Sequence, residues 1–330
     1  MEDANSDFVL GVDVGGTKIN VGYVTREGAV LSSRRYKMDR STTASTLDSI
    51  YFAVTNALNE NKRMKPLAIG FGLVGRCDPA TGVWVRAVNL PIPAPIDFAR
   101  NIRKVHGLWA FIDNDVYSAA KAELSFGAGR RHRDFVVINI GTGLSIAIVS
   151  DGRLVRGAGN MAGEVGRTTI GLSATSWSGK HDKTLENCCS GGGMIDRTKA
   201  DRAESKALMA LQDSQLHSES IFRLAKEGDH VAKRIADDAI SGICEASACF
   251  VSLFNPDALV FAGSVACHEG MLEAITEVVN ARAFSSCLID LKEICLSDLD
   301  AGTVGLIGAA QNAWQGLERR ADKDSHRGYE

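Results

Sequence analysis

Apolar and polar residues alternate along Phe8–Val14, Ile19–Thr25 and Ala29–Tyr36, which predicts three strands, with Arg26, Glu27 and Gly28 turning between the last two. From Thr46 to Glu60 the period lengthens. Leu47, Ile50, Tyr51, Val54 and Leu58 fall on one face at a spacing of about 3.6, so a helix is predicted there. The stretches LAIGFGLVG, from Leu67, and VWVRAV, from Val83, return to strand character. Pro91, Pro93 and Pro95 then exclude regular structure, since each lacks a donor and holds its predecessor extended. WAFIDNDVYSAAKAEL, from Trp109, reads as an apolar strand running straight into an Ala-rich helix. From Phe135 the pattern restarts: FVVINIGTGLSIAIVSDGRLV is strand, glycine turn, strand, Asp-Gly turn, strand. The order is that of an α/β protein.

The restart carries the most information. GVDVGGTKINVGYVTREGAV, from Gly11, and INIGTGLSIAIVSDGRLV, from Ile138, share one plan, a weak internal duplication that points to two similar lobes. The plain alternative is two unrelated hairpins with common turn residues. The first turn, however, holds more than a turn needs, since Asn-Gly or Asp-Gly would suffice. Gly15 and Gly16 let backbone N–H groups come close to an anion, Thr17 adds a hydroxyl donor and Lys18 a point charge. Asp13 repels phosphate unless magnesium or water stands between them. The set suggests a magnesium–nucleotide site. Gly141, Thr142 and Gly143 repeat the backbone-and-hydroxyl chemistry, so two inward-aimed turns would grip one polyphosphate in a cleft between the lobes.

Composition narrows the choice. A chain of 330 residues, 45% of them hydrophobic, can bury a large core in two lobes. A charged fraction of 23% and a net charge of −3 give no field for nucleic acid or an anionic membrane. No apolar run approaches the ~20 residues of a membrane span, and MEDANSD at the N-terminus lacks the character of a secretory signal. The 8 cysteines are scattered apart from Cys188 and Cys189, with no C-x-x-C, so reduced thiols in a cytoplasmic protein are expected.

Five stretches in order and spacing, VDVGGTK, FIDNDVYSAA, INIGTG, GNMAGEVG and LFNPDALVFAG, resemble the ROK family of sugar kinases and sugar-responsive repressors. That family lies within the larger fold group of sugar kinases, heat-shock proteins and actin, and the resemblance runs from Val9 to Ala310. It implies two ribonuclease-H-like lobes, each a mixed β-sheet flanked by helices, with the active site in the cleft between them. Residues 1–115 with a C-terminal helix at 306–320 would form the ATPase-like lobe. Residues 116–305 would carry the sugar loops and the adenosine site. The resemblance also implies ATP, Mg2+, a hexose-like substrate and a homodimer.

Asp115 stands where a strand meets a helix, with Asp113 and Asn114 before it. Helix capping accounts for one such side chain, not three. In the resembling family the Asn-Asp pair binds sugar and its Asp is the catalytic base. Asn114 would then hold a hydroxyl while Asp115 accepts the proton of the attacking one, and an ordinary carboxylate suffices for phosphoryl transfer. Glu164 lies in the glycine-framed GAGNMAGEVGR. Carboxylates accept paired bonds from neighbouring hydroxyls, although a solvated loop glutamate is the plain alternative. The resemblance brings Glu164, Glu186 and Asn89 to the sugar, and Gly263 and Ser264 to the base or ribose. Gly302 and Gly305, opening the last long helix, would approach the nucleotide.

Two departures bear on the substrate. Arg167 stands where the family has His, and the family's zinc cysteines are replaced within SATSWSGKHDKTLENCC, the third aligning with Thr184. His181, Cys188 and Cys189 are the remaining candidates in that stretch, and adjacent cysteines chelate one metal poorly, so no structural zinc is expected. Arg167 offers only donors and is expected to lock the loop through Glu164 or to reach the sugar. Ser264 replaces a second glycine. The main expectation is an ATP-dependent kinase acting on a terminal hydroxyl, the 6-hydroxyl, of a hexose-like substrate. The alternatives are a catalytically weak sugar- or nucleotide-binding protein, an actin-like ATPase, and a regulator without its helix-turn-helix domain, for which little chain precedes the first strand. Glucose, allose, mannose, N-acetylhexosamine and cyclitol stay open, since single substituents separate them.

Overall fold

The first alternating stretches fold as one meander in the computed structural model, which describes residues 7–169 and 183–327. Strands β1 (Phe8–Val14), β2 (Lys18–Thr25) and β3 (Val30–Lys37) pair antiparallel, with Asp13 opposite Asn20 and Asn20 opposite Arg35. Helix α1 (Thr43–Glu60) follows, started by a capping box of Thr42 and Ser45. Its buried line is Ile50, Ala53, Val54 and Ala57, with Leu47, Tyr51 and Leu58 partly buried beside it. The apolar face is thus rotated toward the alanines, whose small side chains leave room for close approach to the sheet.

The chain continues through β4 (Ile69–Leu73), β5 (Arg76–Asp78), β6 (Val83–Arg86), α2 (Phe98–His106), β7 (Ala110–Asn114) and α3 (Asp115–Phe126). β4 joins β1 in parallel and β7 joins β4, giving the order β3-β2-β1-β4-β7. The proline segment carries only isolated bridges, Trp84 to Ile96 and Ala87 to Ile92.

A second sheet is built the same way. β8 (Phe135–Ile140), β9 (Leu144–Ser150) and β10 (Arg153–Leu154) form an antiparallel meander. Then come α4 (Leu185–Cys189), α5 (Gly191–Asp201), α6 (Lys206–Ala210), α7 (Ser218–Lys226) and α8 (His230–Phe254). They are followed by β11 (Ala258–Ala262), α9 (Met271–Arg282), α10 (Ser285–Leu288) and β12 (Glu293–Leu296). β11 lies parallel between β8 and β12, so the order β10-β9-β8-β11-β12 repeats that of the first sheet. Both sheets have the ribonuclease-H-like order of the actin-like ATPase fold, and the weak duplication in sequence is a duplication in topology. α8, capped by Asp229, runs through the core of this part and buries Ile235, Ala239, Ile243 and Phe250.

The last helix, α11 (Val304–Arg327), packs on the first sheet. A Cβ on Gly11 or Gly70 would run into the carbonyl oxygens of Leu306 and Ala309, so these strand glycines admit a helix backbone directly onto β1 and β4. α3 packs on α11 in turn, with Gly308 against the backbone of Ser118. One unit therefore comprises Met1–Gly127, Ala158–Asn160 and Leu299–Glu330, and the other Ala128–Gly157 with Met161–Asp298. α3, placed with the second lobe by the sequence reading, counts with the first unit because of these contacts. Among the described residues no helix is long and apolar enough to cross a membrane.

Candidate active site

In the first unit, Asp13 ends a polar row that runs across three strands from Arg35 through Asn20. Asn20 Nδ2 donates to Asp13 Oδ2 at 3.1 Å, and Arg35 Nε donates to Asn20 Oδ1 at 3.0 Å. On its other side the carboxyl group meets the first turn of α11, where a Cβ on Gly305 would lie 2.6 Å from Asp13 Cγ. A helix start favours an anion there. Burial raises the Asp13 pKa, and Asn20, Lys18 and Arg35 act against that rise. The turn beyond is closed by Gly15 N–H donating to the Lys18 carbonyl at 3.0 Å. Thr17 and Lys18 are exposed, and a Cβ on Gly16 would meet nothing within 4 Å. This exposed backbone, with a hydroxyl, a cation and a carboxylate set back from it, fits a magnesium–polyphosphate group.

At the far edge of the same sheet, Asn114 ends β7 and caps α3. Its Oδ1 accepts from the N–H groups of Val116 at 2.9 Å and Tyr117 at 3.2 Å. Its Nδ2 donates to the Gly75 carbonyl at 2.9 Å. Capping is therefore a real function of Asn114, and one amide hydrogen is left over for a ligand. Asp115 follows as the first residue of α3 and is half-buried. Asp113 is fully buried, accepts from Asn114 N–H at 2.9 Å and pairs with Lys121 Nζ at 2.9 Å. Asn89 is exposed in a turn closed by Ala87 N–H and the Ile92 carbonyl, 3.0 Å apart.

In the second unit, the Gly141–Gly143 turn is held from behind by the start of α5. The N–H groups of Gly191 and Gly192 donate to the carbonyls of Gly141 and Thr142 at 2.8 and 3.0 Å. Side chains would prevent this, since a Cβ on Gly192 would lie 2.5 Å from the Thr142 oxygen. Hydrophobic periodicity gives no hint of this contact; the run Ser190-Gly191-Gly192-Gly193 was the available signal. With these carbonyls taken, Thr142 remains exposed, and a Cβ on Gly141 would meet nothing within 4 Å.

Glu186 sits beside the same hairpin. Its Oε2 accepts from Leu144 N–H at 3.0 Å, and Arg167 Nη2 lies 3.7 Å from its Oε1. Arg167, expected to pair with Glu164 or reach a ligand, thus makes its ion pair with Glu186. Glu164 opens a short 3-10 turn at Val165–Arg167. Partial burial, then the like charge of Glu186, raise its pKa, while Arg167 lowers it. Gly263 follows β11 with φ 94°, and its missing Cβ leaves space for the Ile140 carbonyl. Ser264 beyond it is exposed. In the first unit, Gly302 N–H donates to Asp300 Oδ1 at 3.0 Å, just ahead of α11.

The zinc question falls partly outside the described residues, which exclude His181 and Trp177. Cys188 and Cys189 are buried in the second unit's core. Among the described residues no three His, Cys, Asp or Glu side chains gather to hold a metal ion.

Comparison with known proteins bears on what these features serve. The model of the ROK family matches residues 9–315. A glucokinase of Thermotoga maritima is 24% identical over 261 residues, 78% of this chain and 82% of its own. A xylose repressor of Caldicellulosiruptor bescii is 26% identical over 292 residues, 86% of this chain and 73% of its own. Among solved structures, a ROK family glucokinase from Streptomyces griseus in complex with glucose and AMPPNP matches with a TM-score of 0.71 at 26% identity. That match covers 92% of this chain and 98% of the other.

Proposed function

The chain belongs to the ROK family, and from that premise we propose that it is an ATP-dependent sugar kinase. It transfers the γ-phosphate of Mg-ATP to a terminal hydroxyl, the 6-hydroxyl, of a hexose or hexose-like substrate, as a cytoplasmic homodimer. The observation that carries this reading is the step from β7 to α3. Asn114 is fixed by its cap, and Asp115 follows on the first turn of a helix braced by a buried ion pair. A base so held needs no unusual acidity, because phosphoryl transfer depends mainly on positioning and charge neutralisation.

Asp115 accepts the proton of the attacking hydroxyl. The free amide hydrogen of Asn114 and the side chain of Asn89 hold neighbouring hydroxyls. Glu164 and Glu186 accept hydrogen bonds from others, and Arg167, already balanced by Glu186, trims the negative charge they face. Gly15, Gly16, Thr17, Lys18, Gly141, Thr142 and Gly143 bind the phosphates, and Gly263 and Ser264 adjoin the adenosine. Asp13 holds magnesium through water; when bound, the ion neutralises charge on the phosphates.

The kinship with a xylose repressor favours one other reading, a protein that binds sugar without turning it over. A panel of hexoses, N-acetylhexosamines and cyclitols with ATP and Mg2+ separates the two. Sugar-dependent ADP release from at least one member is expected. Binding of ATP and sugar with no ADP from any of them would replace the kinase by the binding protein.

A further inference from the structure

Asn160 has φ 57°, in the left-handed region where few residues other than glycine settle. It ends the segment Ala158–Asn160, which belongs to the first unit although the chain on both sides belongs to the second. Its Nδ2 donates to the Cys77 carbonyl at 3.0 Å and lies 3.4 Å from Asp113 Oδ1. Beside it, Gly159 lies under Arg76, whose Nη2 would be 2.9 Å from a Cβ there.

Asp113, the acceptor of the second bond, is 0% exposed and takes the Asn114 N–H and Lys121 Nζ as well. Lys121 also donates to Asn312 Oδ1 at 2.8 Å, and Asn312 Nδ2 donates to the Phe71 carbonyl and Ser118 Oγ, both at 2.8 Å. Asp113 is therefore tied to α3, β4 and α11 through one chain of bonds. A buried ion pair is weak evidence for stability, because desolvation offsets most of its attraction. This pair stands directly behind Asn114 and Asp115.

We infer that Asn160 is a positioning residue for the proposed phosphoryl transfer, bracing through Asp113 the strand end that carries Asn114 and Asp115. The inference rests on the kinase reading. The Asn160 amide bonds the Cys77 carbonyl and the Asp113 carboxylate, and Asp113 in turn holds the Asn114 N–H, so one side chain braces the backbone presenting the base. The residue type supports this. Glycine would adopt the left-handed turn with less strain, so what asparagine contributes here is its side-chain donor.

Asn160→Gly and Asn160→Asp test it. Glycine keeps the turn and removes both bonds, while aspartate keeps the shape and sets a second carboxylate against Asp113. For Asn160→Gly the melting temperature and the KM for ATP should stay near wild type, while kcat/KM for the sugar falls about tenfold. Asn160→Asp should fall further. Wild-type kcat/KM in Asn160→Gly would overturn the inference and leave the kinase reading intact. So would parallel losses in melting temperature, ATP and sugar, which mark a purely structural residue. A wild-type chain without sugar-dependent ADP release would overturn the kinase reading and this inference with it.

Discussion

Asp115→Asn is the sharpest test at the scale of single residues. The amide keeps the shape of the carboxylate but cannot take a proton, so kcat should fall at least ~10²-fold. Binding of ATP and sugar, measured by calorimetry, should change little. Near-normal turnover would leave Asp115 as merely the first residue of α3. Glu164 gives a pH test. Its raised pKa means that it takes up a proton at a pH where an ordinary glutamate is still ionised. Sugar hydroxyls are best accepted by the ionised form, so the KM for sugar should rise on acidification through that raised value. Glu164→Gln should raise KM at neutral pH and flatten the dependence; an unchanged acid limb would remove Glu164 from the sugar. For folding the sign is opposite to that of a salt-bridged carboxylate. Ionisation is harder in the fold, so the contribution of Glu164 to stability declines as pH rises from the ordinary glutamate value through the raised one. The helix cap at Asn114 was readable in sequence because residue type and the strand-to-helix step sufficed. The partner of Arg167 was not, since Glu186 lies beyond the reach of any local pattern.

At the scale of elements, periodicity located β1, β4, β7, β8 and α1 with small shifts at their ends. It did not register contacts of backbone with backbone. Gly11 and Gly70 look like weak points in two strands, yet they are where α11 lies on the sheet. Gly70→Ala should therefore cost about 1–3 kcal/mol or more in chemical denaturation, as overpacking of a filled interior. Gly16→Ala makes the contrast. Its Cβ would meet nothing within 4 Å, so stability should stay within about 0.5 kcal/mol. ATP binding should weaken, because the added methyl occupies the approach to the backbone N–H groups. Equal stability losses in the two variants would contradict this division between packing and ligand glycines. The same limit applies to the glycines that open α5, which serve the hairpin between β8 and β9.

The whole molecule shows one topology twice, and the repeated glycine turns made that visible before the structure did. The membership of Ala158–Asn160 was not visible. It depends on bonds to residues 83 and 47 positions away, which no repeat or period encodes. The expected absence of structural zinc is also a property of the whole chain, and metal analysis of purified protein checks it. Zinc well below one equivalent is expected, and about one tightly held equivalent would mean that four ligands assemble from residues other than a thiolate cluster. The central claim is that a phosphoryl group passes from ATP to a sugar hydroxyl. Phosphorus-31 NMR of a turnover mixture with ATP, Mg2+ and the best sugar of the panel tests it most directly. A sugar phosphate monoester should appear in step with ADP, its phosphorus coupled to the protons of the terminal carbon. ADP with inorganic phosphate at the same rate with or without sugar, or no turnover with both ligands bound, would contradict it.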